Sequence, residues 1–252
     1  MKFVSKDRYD LADLLYIMEL LRAPDGCPWD RVQTHESIRR NMIEEAYEVV
    51  DALDRKHTAD LKEELGDVLM QVVFHARIEE EQGSFDFGDV VDGTCKKLVF
   101  RHPFVFGDAQ KDDADRAVAD WEAQKKIEKA QKSQTDSMRS VPSSFPALIR
   151  GSKLQEKAAR SGVDWINANQ ALNDVQTLTV RLQSETLTEQ ERQRLYGQLL
   201  FAATGAARLS GVEPEAALSH TSDEFLMQFA RHESENTLEC AGTPGEMLAG
   251  KD

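Results

Sequence analysis

The sequence predicts an all-α protein made of tandem helical-bundle modules, and three observations carry that expectation. The 252 residues include only 14 Gly and 7 Pro, and long runs of Ala, Leu, Glu, Lys, Arg and Gln favour helix over sheet. Two acid clusters, near 45 and 64, sit beside apolar stripes at helical spacing. A third observation is an internal echo. EELGDVLMQVVFHARI at 63–78 aligns without gaps on RLYGQLLFAATGAARL at 194–209, and both copies stand third in a series of helical segments, which suggests duplication.

In chain order, a first helix is expected over about 8–22, ended by the turn-rich APDGCPWD at 23–30. A second helix runs over about 35–56, and after the polar break HTAD a third covers about 60–82. A fourth follows near 89–100. RHPFVFGD then reads as extended, because Pro103 stops regular structure. A charged helix is expected over 112–131. SQTDSMRSVPSSFP at 133–146, polar and with two prolines, reads as a linker between a module at 1–132 and another at 147–235. Helices over 146–161, 168–184, 188–210 and 214–234 fill the second module, and the tail at 236–252 reads as disordered.

Hydrophobic residues at 40% and charged residues at 30% describe a soluble globular chain. A net charge of −14 argues against nucleic-acid or membrane binding, whose surfaces are normally basic. It leaves room for a small anionic ligand held by a local basic pocket or a cation. The three cysteines, Cys27, Cys95 and Cys240, are widely spaced and lack a CxxC; they read as reduced thiols of a cytoplasmic protein. No segment reads as a membrane span or a signal peptide.

The acids raise the functional question. At about 100° per residue, Glu48 lies about 60° to one side of Glu45, while Val49, Met42, Leu53 and Ala46 spread to the other. Around Glu64 the same pattern returns, with Asp67 on one side and Val68, Leu61, Val72 and Leu65 on the other. An antiparallel hairpin of these helices would line four carboxylates along a shared rim. Crowded carboxylates raise one another's pKa unless a cation neutralises them. An all-oxygen set suits Mg²⁺, with Mn²⁺ as the alternative, better than zinc. Solvated helix ends remain the competing explanation, since acids favour the first turn of a helix. That explanation fits Glu63 and Glu64 but not Glu45 and Glu48, which lie near mid-helix. No Glu-x-x-His pair, Walker loop, HExxH or GxSxG is present.

The segments GCPWDRVQTHESI (26–38), IEEAYEVVDAL, LKEELGDVLMQVVFHA, KLVFRHPFVFGD (97–108) and FPALIRGSKLQEKAARSGVDW (145–165) together resemble the MazG-type nucleoside triphosphate pyrophosphohydrolases. The family's EExxE and ExxD motifs stand here as Glu44, Glu45, Glu48, Glu64 and Asp67. The resemblance implies a dimeric protein of the all-α NTP pyrophosphatase fold, acting with Mg²⁺ to cut nucleoside triphosphates to monophosphate and pyrophosphate in nucleotide house-cleaning. By the same resemblance Glu45, Glu48, Glu64 and Asp67 would be the metal and catalytic residues. Glu44, Lys97, Arg101, Trp121 and Lys125 would bind substrate. Trp29 and His35 belong to the match with structural roles expected, and His75 reads as a satisfied core histidine.

The second module departs from the pattern at each acidic position. Glu64 and Asp67 are answered by Leu195 and Gln198, and the EExxE positions by Thr177, Leu178 and Arg181. EFLMQ (224–228) answers KLVFR without its basic residues. A catalytic first module and a degenerate second module serving dimerisation or regulation are therefore expected. The alternative is a weak or inactive nucleotide-binding regulatory or interaction protein.

Overall fold

A computed structural model describes residues 3–107, 121, 124, 127, 128, 133–184, 186–235 and 242–249. The chain divides into two compact units, Met1–Gln124 and Lys125–Asp252. Among the described residues every regular element is helical and there is no strand.

In the first unit α1 (Leu11–Arg22) opens on a capping box, in which Asp10 and Asp13 each accept from the other's backbone N–H. A 3₁₀ turn at Asp30–Val32 then leads into α2 (His35–Asp54), capped by Thr34. The break before α3 (Thr58–Glu81) is tighter than its polar sequence suggests. Lys56 takes a left-handed φ of 54°, and the His57 N–H donates to Ala52 O at 3.0 Å, closing α2 as a Schellman turn. This folds α3 back along α2. α4 (Phe87–Arg101) starts on the Asp86–Asp89 capping box.

α1 and α2 pack on α3 around Met18, Ile38, Val73, Phe74 and Ile78, with Leu14, Leu15, Met70 and Phe87 at the margin. Arg22 ties this core to the GCPWD loop. Its guanidinium donates to Asp30 O (2.6 Å), Gln33 O (3.2 Å) and the Glu81 carboxylate (2.7 and 2.9 Å). It also lies 5.2 Å from the centre of the Phe74 ring. Trp29, expected to be structural, has an exposed side chain, and its carbonyl accepts from Gln33 Nε2 at 2.9 Å.

Three stretches are helical where a break was expected. Pro103 does end α4, but as the first residue of a short helix, α5 (Pro103–Phe106); its missing N–H costs nothing there and its φ suits a first turn. The expected linker contains α6 (Gln134–Arg139), capped by Ser133 and Asp136. Gln134 Nε2 donates to Lys157 O and Lys157 Nζ to Ser137 Oγ (2.9 Å), so the segment is fastened to the second unit. In the tail, α11 (Pro244–Ala249) buries Met247. Of the expected helix over 112–131, residues 121, 124, 127 and 128 are helical; the remainder lies outside the described residues.

The second unit repeats the plan of the first with α7 (Ala147–Ala159), α8 (Ala168–Ser184), α9 (Glu189–Leu209) and α10 (Pro214–Ser234). α7 and α8 pack on α9 as α1 and α2 pack on α3. α11 packs on α10. Both central helices end in a glycine with positive φ, Gly83 at 72° and Gly211 at 75°, where a side chain would be strained.

Candidate metal centre

The α2–α3 hairpin fixes which carboxylates can meet. Near its open end His35 Nδ1 lies 2.7 Å from His75 Nδ1, which sets the antiparallel register. Moving equally far along both helices from that contact leads to Glu45 on α2 and to the Glu64–Asp67 turn on α3. There one carboxylate oxygen from each of Glu45, Glu48 and Glu64 lies within 4.8 Å of the others. Asp67 acts electrostatically on both Glu45 and Glu64. Among the described residues no other group of three or more acid, His or Cys side chains converges in this way.

The cluster is electrostatically uncomfortable as it stands. Partial burial raises the pKa of Glu45, and the charges of Asp67 and Glu48 raise it further. Glu64 is raised too, by desolvation and then by Glu48, Glu63, Asp67 and Glu45. A divalent cation would relieve that repulsion.

A residue the sequence reading passed over completes the rim. Gln71, one turn beyond Asp67, is buried at 3% exposure. Its side chain hydrogen-bonds Glu45 and stabilises the ionised carboxylate, while its Oε1 has no hydrogen-bond partner. The available signal lay in the echo, where the corresponding Ala202 is apolar. Oxygen donors at close range, raised carboxylate pKa values and a buried amide holding one donor fit a hard divalent ion.

The other expected site residues are placed as follows. Glu44 turns to Arg40 on its own helix, 2.7 Å away, and lies outside the converging group. Lys97 and Arg101 share a face of α4, which packs on α3. Arg101 is buried and its guanidinium lies 5.0 Å from the centre of the Trp121 ring. Lys125 lies outside the described residues. His35 has the structural role expected of it, bonding His75 and, through Nε2, Glu79 at 2.7 Å.

The helical stripe itself needs one correction. Met42, Val49, Leu61, Val68 and Val72 are half-buried along the hairpin, whereas Ala46, Leu53 and Leu65 are exposed. Among the described residues no helix covers that far edge, and Ile43, Tyr47, Val50 and Leu69 extend the open apolar surface.

In the second unit, Thr177, Leu178, Arg181 and Gln198 line a cavity of about 700 Å³ between α8 and α9. Leu195 is buried beside it. The positions aligned with the acids thus gather at one place, with different chemistry.

A carboxylate rim between antiparallel helices is an arrangement that suits a divalent cation. A model of the MazG nucleotide pyrophosphohydrolase domain matches residues 33–106. The nucleoside triphosphate pyrophosphohydrolase of Escherichia coli K12 is 38% identical over 221 residues, covering 86% of this chain and 84% of its own length. The nucleoside triphosphate pyrophosphohydrolase/pyrophosphatase MazG of Thermotoga maritima is 38% identical, covering 88% and 84%. A Bacillus subtilis protein, YabN, is 42% identical over 217 residues, covering 85% of this chain and 44% of its own. The chain belongs to the MazG family of nucleotide pyrophosphohydrolases.

Proposed function

We propose that the chain hydrolyses nucleoside triphosphates to the monophosphate and pyrophosphate with Mg²⁺, and that the first unit carries the site. The convergence of Glu45, Glu48 and Glu64 within 4.8 Å, with Asp67 alongside, is the observation that carries this reading. These four residues would hold the metal, which supplies Lewis acidity and charge neutralisation at the phosphates. Gln71 holds Glu45 in place. Lys97 and Arg101 would bind phosphate oxygens from adjacent turns of α4, and Trp121 and Lys125 the nucleoside end. One carboxylate of the rim that the metal leaves unsaturated would take the proton of the attacking water.

The second unit, with Leu195 and Gln198 where acids stand in the first, is a degenerate module in this reading. The open apolar face of α2 and α3 supports a homodimer, since exposed patches of this kind mark association surfaces. Free thiols at Cys27 and Cys95 support a cytoplasmic location. Among the described residues no helix is long and apolar enough to cross a membrane.

The test is pyrophosphate and NMP release from NTPs with Mg²⁺. Glu45→Gln or Asp67→Asn should abolish release, while Leu195→Ala and Gln198→Ala retain it. Full activity in the acid variants would refute the site. Saturable Mg²⁺–NTP binding with no product across a broad nucleotide panel would instead indicate a regulatory binding protein.

A further inference from the structure

The α8–α9 cavity is more than a vacated copy of the acid rim, because its charge is reversed. Arg181 stands where the first unit has Glu48, and Arg194 where it has Glu63, and both guanidiniums line the same cavity of about 700 Å³. Arg194 makes no ion pair with the described residues. Among the described lining residues Asp174 is the one carboxylate, and it accepts the Trp165 Nε1–H at 2.8 Å. Two guanidiniums against one carboxylate among the described lining residues give the cavity a basic character in a chain of net charge −14.

One wall of the cavity is aromatic. Trp165 and Phe201 line it with ring centres 6.2 Å apart. Trp165 is seated on Gly205, where a Cβ would overlap its ring, so the fold makes room for the indole at that spot. Gln198 and Thr177 add neutral hydrogen-bonding groups. Paired guanidiniums recognise phosphate oxygens through forked, charge-assisted bonds. An aromatic wall stacks a base, and the volume falls within the range of small-molecule sites.

We infer that the α8–α9 cavity binds a nucleoside phosphate without a divalent metal, with Arg181 and Arg194 on the phosphate and Trp165 and Phe201 against the base. This rests on the cavity's own residues and holds whether or not the acid rim of the first unit is the hydrolytic site. It gives the second unit a ligand of its own, at the place where the first unit would hold its metal.

The test uses the full chain in EDTA, which removes any metal from the acid rim. ATP, AMP, inorganic pyrophosphate and adenosine are titrated calorimetrically. ATP or AMP should bind saturably at one site per chain, and pyrophosphate and adenosine more weakly. Arg181→Gln and Arg194→Gln should each weaken nucleotide binding by about tenfold or more, the loss expected for one charge-assisted hydrogen bond. Both positions are exposed, so unchanged melting curves will show that the fold is intact; Asp67→Asn, on the other unit, should leave EDTA binding as it is. Absence of saturable binding, or binding that survives both arginine substitutions, overturns the inference. Pyrophosphate binding as tightly as ATP would overturn the role of the aromatic wall. Mg²⁺-dependent hydrolysis is scored in parallel, and its absence from the parent would count against the acid rim alone.

Discussion

The α2–α3 pair and the α8–α9 pair share a plan but differ in charge, and aligning α3 on α9 shows where each kind of position sits. The inward positions keep their burial: Gln71 and Ala202, and Val73 and Thr204, are all buried. The rim positions change without regard to sign, from Glu63, Glu64 and Asp67 to Arg194, Leu195 and Gln198. Gln71, whose amide holds Glu45, becomes Ala202 where the acids have gone. Burial of the inner face is therefore what the two helix pairs share, while the charge of the rim is free to change.

Phe74 and Gly205 give the sharpest contrast on the inner face. Phe74 belongs to the first unit's core and carries the Arg22 guanidinium on its ring. Gly205 leaves its space to Trp165. Phe74→Ala should cost about 3–5 kcal/mol of stability, measured by urea unfolding. Gly205→Ala should cost about 1–3 kcal/mol by overpacking against the indole. If Phe74→Ala proved the milder change, inner-face volume would not be what holds the pair together.

The rims should separate the two units by their response to metal. Mg²⁺ at about 100 times its Kd should stabilise the parent by about 2.7 kcal/mol, seen as a rise in Tm. Glu45→Gln should abolish that rise. In EDTA the same variant should melt above the parent, because burial and neighbouring carboxylates disfavour the ionised Glu45 it replaces. An equal Mg²⁺ response in parent and variant would mean that the acids are only a solvated face. Gln71→Leu should lower kcat/KM by about 10–100-fold, the usual consequence of freeing a metal ligand from its support. Its Mg²⁺ titration should shift to higher concentration. A change in stability without either effect would leave Gln71 a packing residue.

Helical periodicity made the acid edges legible, because the angle between Glu45 and Glu48, or between Glu64 and Asp67, depends only on local geometry. Gln71 was not legible in that way. Its role depends on a partner across the hairpin, and a glutamine on an apolar face carries no charge to draw attention. The short helix α5 was missed because Pro103 looks like a break in the sequence, whereas a proline is equally at home as the first residue of a helix; α11 was missed because chain ends are where order is least expected. α6 was hidden by polar residues that cap it rather than loosen it. The exposure of Leu53 and Leu65 could not be read from the stripe, since periodicity gives the direction of a face and not what covers it.

The smallest expected effect concerns His75, whose counterpart in the second unit is Ala206. Its pKa is lowered from 6.5 by burial and then by the neighbouring His35. The network needs one ring to accept between Nδ1 and Nδ1, and His35 also faces Glu79 through Nε2. Protonating both rings would set two N–H groups against each other and break the 2.7 Å contact. Because the folded pKa lies below the unfolded one, the folded state binds fewer protons as the pH drops. Stability is therefore full above about pH 6.5, falls as the pH passes below that value, and levels off once the pH is below the folded pKa. Hydrogen exchange at pH 7.5 and pH 5.5 should show amides of α2 and α3 losing protection at the lower pH beyond any loss in α8 and α9. His75→Asn should flatten that difference. Equal loss in both helix pairs, or a difference that persists in His75→Asn, would place the acid sensitivity elsewhere than in the histidine pair.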